Sequence, residues 1–312
     1  MTDPLQPFIA RRGAAVLDGG LATELEARGL VLDDALWSAR ALIDAPAIVA
    51  AVHRDYLEAG ADVIETATYQ ATLQGLTAQG LSARDAGHVL RSGVTLACRQ
   101  RDAFWERHEP NGHRARPLVA ASIGSYGAFL ADGSEYRGGY GQDQDALAAW
   151  HRPRLRLLEE SGADLLAFET IPSLVEAEAI VGLLGETDGP PAWLSFQAGS
   201  AQSLADGSPI EAAAALADRA PRLVAVGVNC VPPAIVGSLL ARFSAVTTKP
   251  LVAYPNRGDA WDVATRRWIE SGATVAFDRL VPAWRAAGAR LIGGCCRTTP
   301  ADIRAIAAGL GP

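Results

Sequence analysis

A short junction recurs along this chain and limits what it can fold into. Ala59-Gly60-Ala61-Asp62, Ser161-Gly162-Ala163-Asp164 and Ala287-Gly288-Ala289-Arg290 each follow a stretch rich in Ala, Leu, Arg and Glu and precede a short apolar run. Glycine just past a helix takes the left-handed conformation that ends it, so each junction reads as helix, glycine turn, strand. Strand-like runs occur at 14–18, 62–66, 118–123, 164–169, 192–197, 223–229, 251–254 and 290–294, eight in all. Helical periodicity fills the intervals at 46–59, 82–103, 143–161, 174–184, 210–217, 234–243 and 279–287. Eight β-then-α units predict a closed (β/α)8 barrel of the TIM type, whereas a doubly wound sheet of this length would show about six strands. No linker, charge block or low-complexity stretch divides residues 1–312, so the chain reads as a single domain, and 49% hydrophobic residues suffice for one large core.

In such a barrel chemistry belongs at the C-terminal ends of the strands. Cys230 in "VAVGVNCVPP" ends the sixth run, and Cys295 and Cys296 in "LIGGCCRTTP" end the eighth. Strands lie about 4.8 Å apart, so with only the seventh strand between them these ends are roughly 10 Å apart, and inward-leaning thiols can meet at one ion. Gly293 and Gly294 allow a close backbone approach just before the pair. A strained vicinal disulfide between Cys295 and Cys296, with Cys230 merely packed, is the competing reading.

Composition narrows the choice. The fourth cysteine, Cys98, lies within a helical stretch and reads as an ordinary buried thiol. With four cysteines in 312 residues and an opening MTDPLQPFIARRG, the expectation is reduced thiols in a cytoplasmic protein. No apolar run approaches the ~20 residues of a membrane helix, and a net charge of −7 without basic blocks disfavours nucleic-acid and membrane partners. His53, His88, His108, His113 and His151 fall in helices or a polar loop and are poor candidates for ligation.

A zinc ion on three thiolates keeps a fourth position open, the mark of a catalytic site. Its net charge of about −1 makes it a poor activator of water but suits it to a thiol substrate, deprotonated while the sulfur stays nucleophilic. Zinc deaminases need C-x-x-C and a nearby Glu, and Val231-Pro232 after Cys230 breaks that spacing.

The blocks "VLDGGLATELEARG", "LWSARALIDAP", "ADVIETATYQAT", "GSYGAFLADGSEYRGGY", "ADLLAFET", "GVNC", "YPNRG" and "ARLIGGCCRTTPADI", in this order over nearly the whole chain, resemble the homocysteine S-methyltransferase family. The likeness is greatest to its short, cobalamin-independent, S-methylmethionine-type members. It implies a (β/α)8 barrel with a catalytic zinc on Cys230, Cys295 and Cys296, and L-homocysteine adding its thiolate as fourth ligand to yield methionine. It also implies that Asp18 and Glu169 hold the homocysteine ammonium, with Gly19 and Thr66 near its polar end. Asn229 and Asn256 fall in the same constellation. Asn256 is either a fourth zinc ligand when substrate is absent or a turn-forming residue after Pro255.

The donor side rests on chemistry. A sulfonium needs aromatic faces or carboxylates near the transferred methyl. The long loop after the third strand offers Tyr126, Phe129, Tyr136 and Tyr140, with packing against the barrel rim as the alternative, and Glu65 at the end of the second strand could meet the donor's ammonium. S-Methylmethionine is the expected donor and S-adenosylmethionine a slower substitute. A betaine-type homocysteine methyltransferase is the runner-up, ahead of a zinc hydrolase or a metal- or thiol-storage protein on the same barrel.

Overall fold

A computed structural model describes residues 3–32, 36–108, 114–262, 267–269 and 275–311. Eight strands, β1 (Ala15–Val16), β2 (Val63–Glu65), β3 (Leu118–Gly124), β4 (Leu165–Ile171), β5 (Ala192–Phe196), β6 (Leu223–Asn229), β7 (Leu251–Tyr254) and β10 (Ala289–Ile292), form one parallel sheet. Its order is β1-β10-β7-β6-β5-β4-β3-β2. A parallel bridge between Leu17 and Val63 joins the two edges. There the Asp62 N–H donates to the Val16 carbonyl at 2.7 Å and the Asp18 N–H to that of Val63 at 3.1 Å. The architecture is the (β/α)8 barrel that the repeating junction predicts.

The junctions work as their residues require. Gly60, Gly162 and Gly288 have φ of 112°, 88° and 106°, and the first caps the helix Pro46–Ala59. The aspartates that follow two of them share one task. Asp62 Oδ2 accepts the Val16 N–H at 2.9 Å, and Asp164 Oδ2 accepts the Val119 N–H at 2.8 Å, so each ties its strand to the preceding one. Both are paired with arginine, Asp62 with Arg12 and Asp164 with Arg101. The predicted helices all form, some with shifted ends: 82–103 extends as Ala83–His108, and 279–287 becomes Phe277–Ala286. An antiparallel hairpin, β8 (Ala260–Asp262) with β9 (Arg267–Ile269), was not legible in the sequence.

The period of two along the strands separates structure from chemistry. Ala15, Leu17, Val63, Ala120, Ala167, Trp193, Ala225 and Leu291 pack as one buried cluster inside the barrel, and Phe8 of the first helix Gln6–Arg12, with Leu5 just before it, joins from below. Outward positions such as Val16, Ile64, Val119, Phe168, Val226 and Ile292 belong to the larger core under the helices. Continuing the inward register toward the strand C-termini gives Glu65, Ser122, Glu169, Ser195, Asn229 and Cys295. The barrel interior is therefore apolar below and polar at its mouth.

Candidate active site

Three sulfurs meet at that mouth. Cys230 Sγ lies 3.6 Å from Cys296 Sγ, Cys295 and Cys296 are 3.9 Å apart, and all three fall within 4.8 Å of one another. Tetrahedral zinc with sulfurs at about 2.3 Å places ligand sulfurs about 3.8 Å apart, so the donor set fits. Hydrogen bonds from Cys295 and Cys296 hold the Cys230 thiol well below its ordinary range, while Cys230 pushes the other two up. No disulfide joins any of the four cysteines.

The backbone is shaped to bring the sulfurs together. A Cβ on Gly293 would lie 2.6 Å from the Leu17 Cβ, and one on Gly294 would lie 2.4 Å from Thr298 Oγ1. Both glycines are thus required for close approach, with Gly294 N–H donating to the Asp18 carbonyl at 3.0 Å. Cys230 itself takes φ of 56°, a left-handed conformation costly for a residue with a Cβ. Asn256 ties the two cysteine loops: its Nδ2 donates to the Cys230 carbonyl at 3.1 Å and its Oδ1 accepts the Cys296 N–H at 3.2 Å.

Beside the sulfurs stand three carboxyl groups. Asp18 and Glu169 are buried, at 5% and 6% exposure. Asp18 Oδ2 accepts the Glu65 N–H at 2.9 Å, Ser122 donates to Glu169 Oε1, and the Glu65 and Glu169 carboxyls lie against each other. Glu65 Oε1 is buried without a hydrogen-bond partner. Burial pushes Asp18 and Glu65 well above the carboxylate range and Glu169 up to about 7. Mutual repulsion raises Asp18 and Glu65 further. An acceptor-rich, water-poor group of acids is complementary to a cation that carries several N–H donors.

Asn229 links acids to sulfurs. Its Oδ1 accepts the Thr170 N–H at 2.7 Å and the Ser195 hydroxyl at 2.9 Å, and its Nδ2 donates to Thr170 Oγ1 at 2.8 Å and approaches Cys295 Sγ at 4.0 Å. Thr66 is buried with its hydroxyl accepting the Ser122 N–H at 3.0 Å. A Cβ on Gly19 would lie 2.9 Å from both Thr298 and Tyr56, so its backbone is pressed against the loop after β10.

The loop after β3 is ordered from beneath. Tyr126 packs with Phe129, Tyr140 and Trp150 at ring separations of 5.8, 5.3 and 5.2 Å. The fully buried Glu176 accepts the Tyr126 N–H at 2.6 Å and the Tyr140 hydroxyl, and pairs with His151 at 2.8 Å. Three of the four loop aromatics expected for the donor thus pack against one another and the helix Gln144–Glu159. The fourth, Tyr136, reaches the site with its hydroxyl 3.7 Å from Cys230 Sγ.

The remaining expectations divide cleanly. Cys98 is half-buried, 3.8 Å from the Gly162 carbonyl and apart from the cluster. Among the described residues the three cysteines are the one candidate metal group, and none of His53, His88, His108 or His151 joins it. His113 lies outside the described residues. Ser122, Ser195 and Tyr254 escaped sequence reasoning. Tyr254 and Ser195 are 2.5 Å apart, and the only signal for either was its inward register on a strand.

Comparison with known proteins agrees with this geometry. The family model for homocysteine S-methyltransferase matches residues 15–310. The chain is similar to the Bacillus subtilis homocysteine S-methyltransferase YbgG, 44% identical over 98% of this chain and 97% of that protein. It is likewise similar to homocysteine S-methyltransferase 4 of Zea mays, 48% identical over 95% of this chain and 89% of that one. The metallated form of the Escherichia coli homocysteine methyltransferase MmuM superposes with a TM-score of 0.88 at 43% identity, covering 98% and 99% of the two chains. With likeness that runs the length of the barrel and takes in the strand ends bearing the three cysteines, this chain belongs to the homocysteine S-methyltransferase family.

Proposed function

We propose that the protein transfers a methyl group from a sulfonium donor, S-methylmethionine in preference to S-adenosylmethionine, to the thiol of L-homocysteine, giving methionine. Homocysteine methyl transfer follows from family membership. The single observation that carries the finer reading is the meeting of three sulfurs with three buried carboxyl groups at one barrel mouth. The first set suits a thiol-binding metal and the second an amino acid's ammonium.

Cys230, Cys295 and Cys296 would hold zinc, which when bound favours the deprotonated form of a substrate thiol at neutral pH. Asp18 and Glu169 take the homocysteine ammonium; Glu65, expected from the sequence to meet the donor's ammonium, instead lies against Glu169 and joins that pair, and one positive charge relieves the repulsion among the three. Asn229 and Asn256, whose amides are occupied by Thr170 and by the cysteine loops, act as positioning residues, which favours the tethering role of Asn256 over ligation. Gly19 and Thr66 shape the polar end. In the transfer, the homocysteine sulfur forms a bond to the methyl carbon as the bond from that carbon to the donor sulfur breaks. The donor leaves as a neutral thioether, and the thiol proton passes to solvent.

Residues 1–312 would constitute one such domain, acting in the cytoplasm on small molecules alone. Among the described residues no helix is long and apolar enough to cross a membrane. The test is a donor panel: homocysteine with S-methylmethionine, S-adenosylmethionine, betaine or methyl-folate, read as methionine formed. Fastest turnover is expected with S-methylmethionine. Preference for betaine, or no methionine from either sulfonium, would overturn the donor assignment.

A further inference from the structure

We infer that Glu135, on the loop after β3, is the residue that recognises the positive charge of the methyl donor. The inference rests on the proposed methyl transfer from a sulfonium. Glu135 lies in the turn Ser134–Tyr136, one residue before the tyrosine whose hydroxyl is 3.7 Å from Cys230 Sγ. The backbone fixes that turn tightly: a Cβ on Gly127 would come within 2.6 Å of the Glu135 nitrogen, so the turn sits directly on the start of the helix Tyr126–Leu130. Placement beside the sulfurs is therefore built in.

Glu135 Oε2 is shut off from water and has no hydrogen-bond partner. The nearest cation in sequence, Arg137, is turned outward, 57% exposed, and donates to the Asp132 carbonyl at 3.2 Å. Gln70 Oε1 is also buried without a donor, and its amide nitrogen donates to the Ala128 carbonyl of the helix on which the Glu135 turn sits. Tyr69 and Tyr136 bring two phenol rings to the same place, and both feel the Glu135 charge. A carboxylate oxygen buried without a hydrogen-bond partner is costly, so a native structure keeps one where a ligand supplies the missing donor or charge. Burial pushes the Glu135 carboxyl up to about 7, so an arriving cation meets a group able to ionise at neutral pH. Carboxylate and aromatic faces together are the recognition chemistry for a sulfonium or other onium ion. Homocysteine already has its own acids in Asp18, Glu65 and Glu169, which leaves Glu135 for the second substrate.

The test is steady-state kinetics of wild type, Glu135→Gln and Glu135→Asp, with zinc content measured on each. S-Methylmethionine is varied at saturating homocysteine, then the reverse. Glu135→Gln should lower kcat/KM for the donor roughly ten- to hundredfold, the loss expected for a charge-assisted contact, while the homocysteine KM and zinc content stay within about twofold. Glu135→Asp should fall between. A dead-end sulfonium should inhibit wild type far more strongly than a neutral thioether of the same shape, and that selectivity should vanish in Glu135→Gln. A wild type active on S-methylmethionine with an unaltered Glu135→Gln overturns this inference alone. Loss of zinc in both variants assigns Glu135 a structural role and also overturns it. A wild type that makes no methionine from the sulfonium overturns both this and the proposed function.

Discussion

The side chain of Asn229 holds Thr170 by two atoms, accepting its N–H at 2.7 Å and donating to its hydroxyl at 2.8 Å. Thr170 has φ of 56°, a true outlier for a β-branched residue, worth roughly 1–3 kcal/mol of strain. It follows Glu169 directly, and Asn229 directly precedes Cys230, so one amide couples the buried acid of β4 to the cysteine of β6.

Asn229→Ala should therefore affect substrate and fold together. It leaves the buried Thr170 N–H unpaired, which costs about 1–3 kcal/mol. We expect a lower urea midpoint and a homocysteine KM raised several-fold, with zinc largely kept. An unchanged midpoint would remove Asn229 from this role.

Asp18→Asn and Glu169→Gln should spare the metal and weaken homocysteine. Each loses a charge-assisted contact to the ammonium, about 1.5–3 kcal/mol or roughly ten- to hundredfold in affinity. Homocysteine titrations beside elemental analysis separate the two effects. Unchanged affinity in both variants would place the ammonium elsewhere.

The pH dependence of stability should carry the mark of His53. It is fully buried in the helix Pro46–Ala59, neither ring nitrogen has a partner, and burial lowers its pKa from 6.5 to about 4. The unfolded chain therefore takes up the proton first. Stability from this group is complete above pH about 6.5 and is lost as pH falls toward 4, by about 3 kcal/mol. His53→Leu should flatten the denaturation midpoint between pH 7 and pH 4.5, and an equally steep fall in the variant would contradict the assignment.

Removing metal should expose the thiols to oxidation. Cys230 and Cys296, 3.6 Å apart at sulfur, are placed to link once peroxide forms a sulfenic acid on either. Chelated, peroxide-treated protein should show fewer free thiols and recover only with reductant plus zinc. Full recovery on zinc alone would be the contrary result. Cys98→Ser should change nothing, since Cys98 stands apart on its helix.

What was legible in the sequence was local. The glycine junctions, the strand runs and the cysteines and acids at strand ends follow from backbone chemistry and a period of two, and the barrel then brings residues 65 positions apart to one mouth. What was hidden depends on tertiary contact. Only packing shows that Glu176 spends its carboxylate on Tyr126, Tyr140 and His151, so that Tyr136 is the loop aromatic that reaches Cys230. Asn256 likewise reads as either a zinc ligand or a turn residue until both of its polar atoms are seen to tether the cysteine loops. The Ala260–Asp262 hairpin strand gave no sign because three residues are too few for a pattern.

The proposed methyl transfer depends on a zinc held by three cysteines, to which homocysteine adds a fourth sulfur. Zinc K-edge X-ray absorption, recorded with and without homocysteine, tests it most directly. Three sulfurs at about 2.3 Å with one lighter neighbour are expected, becoming four sulfurs when homocysteine is added. A first shell without three sulfurs, or one unchanged by saturating homocysteine, would contradict it.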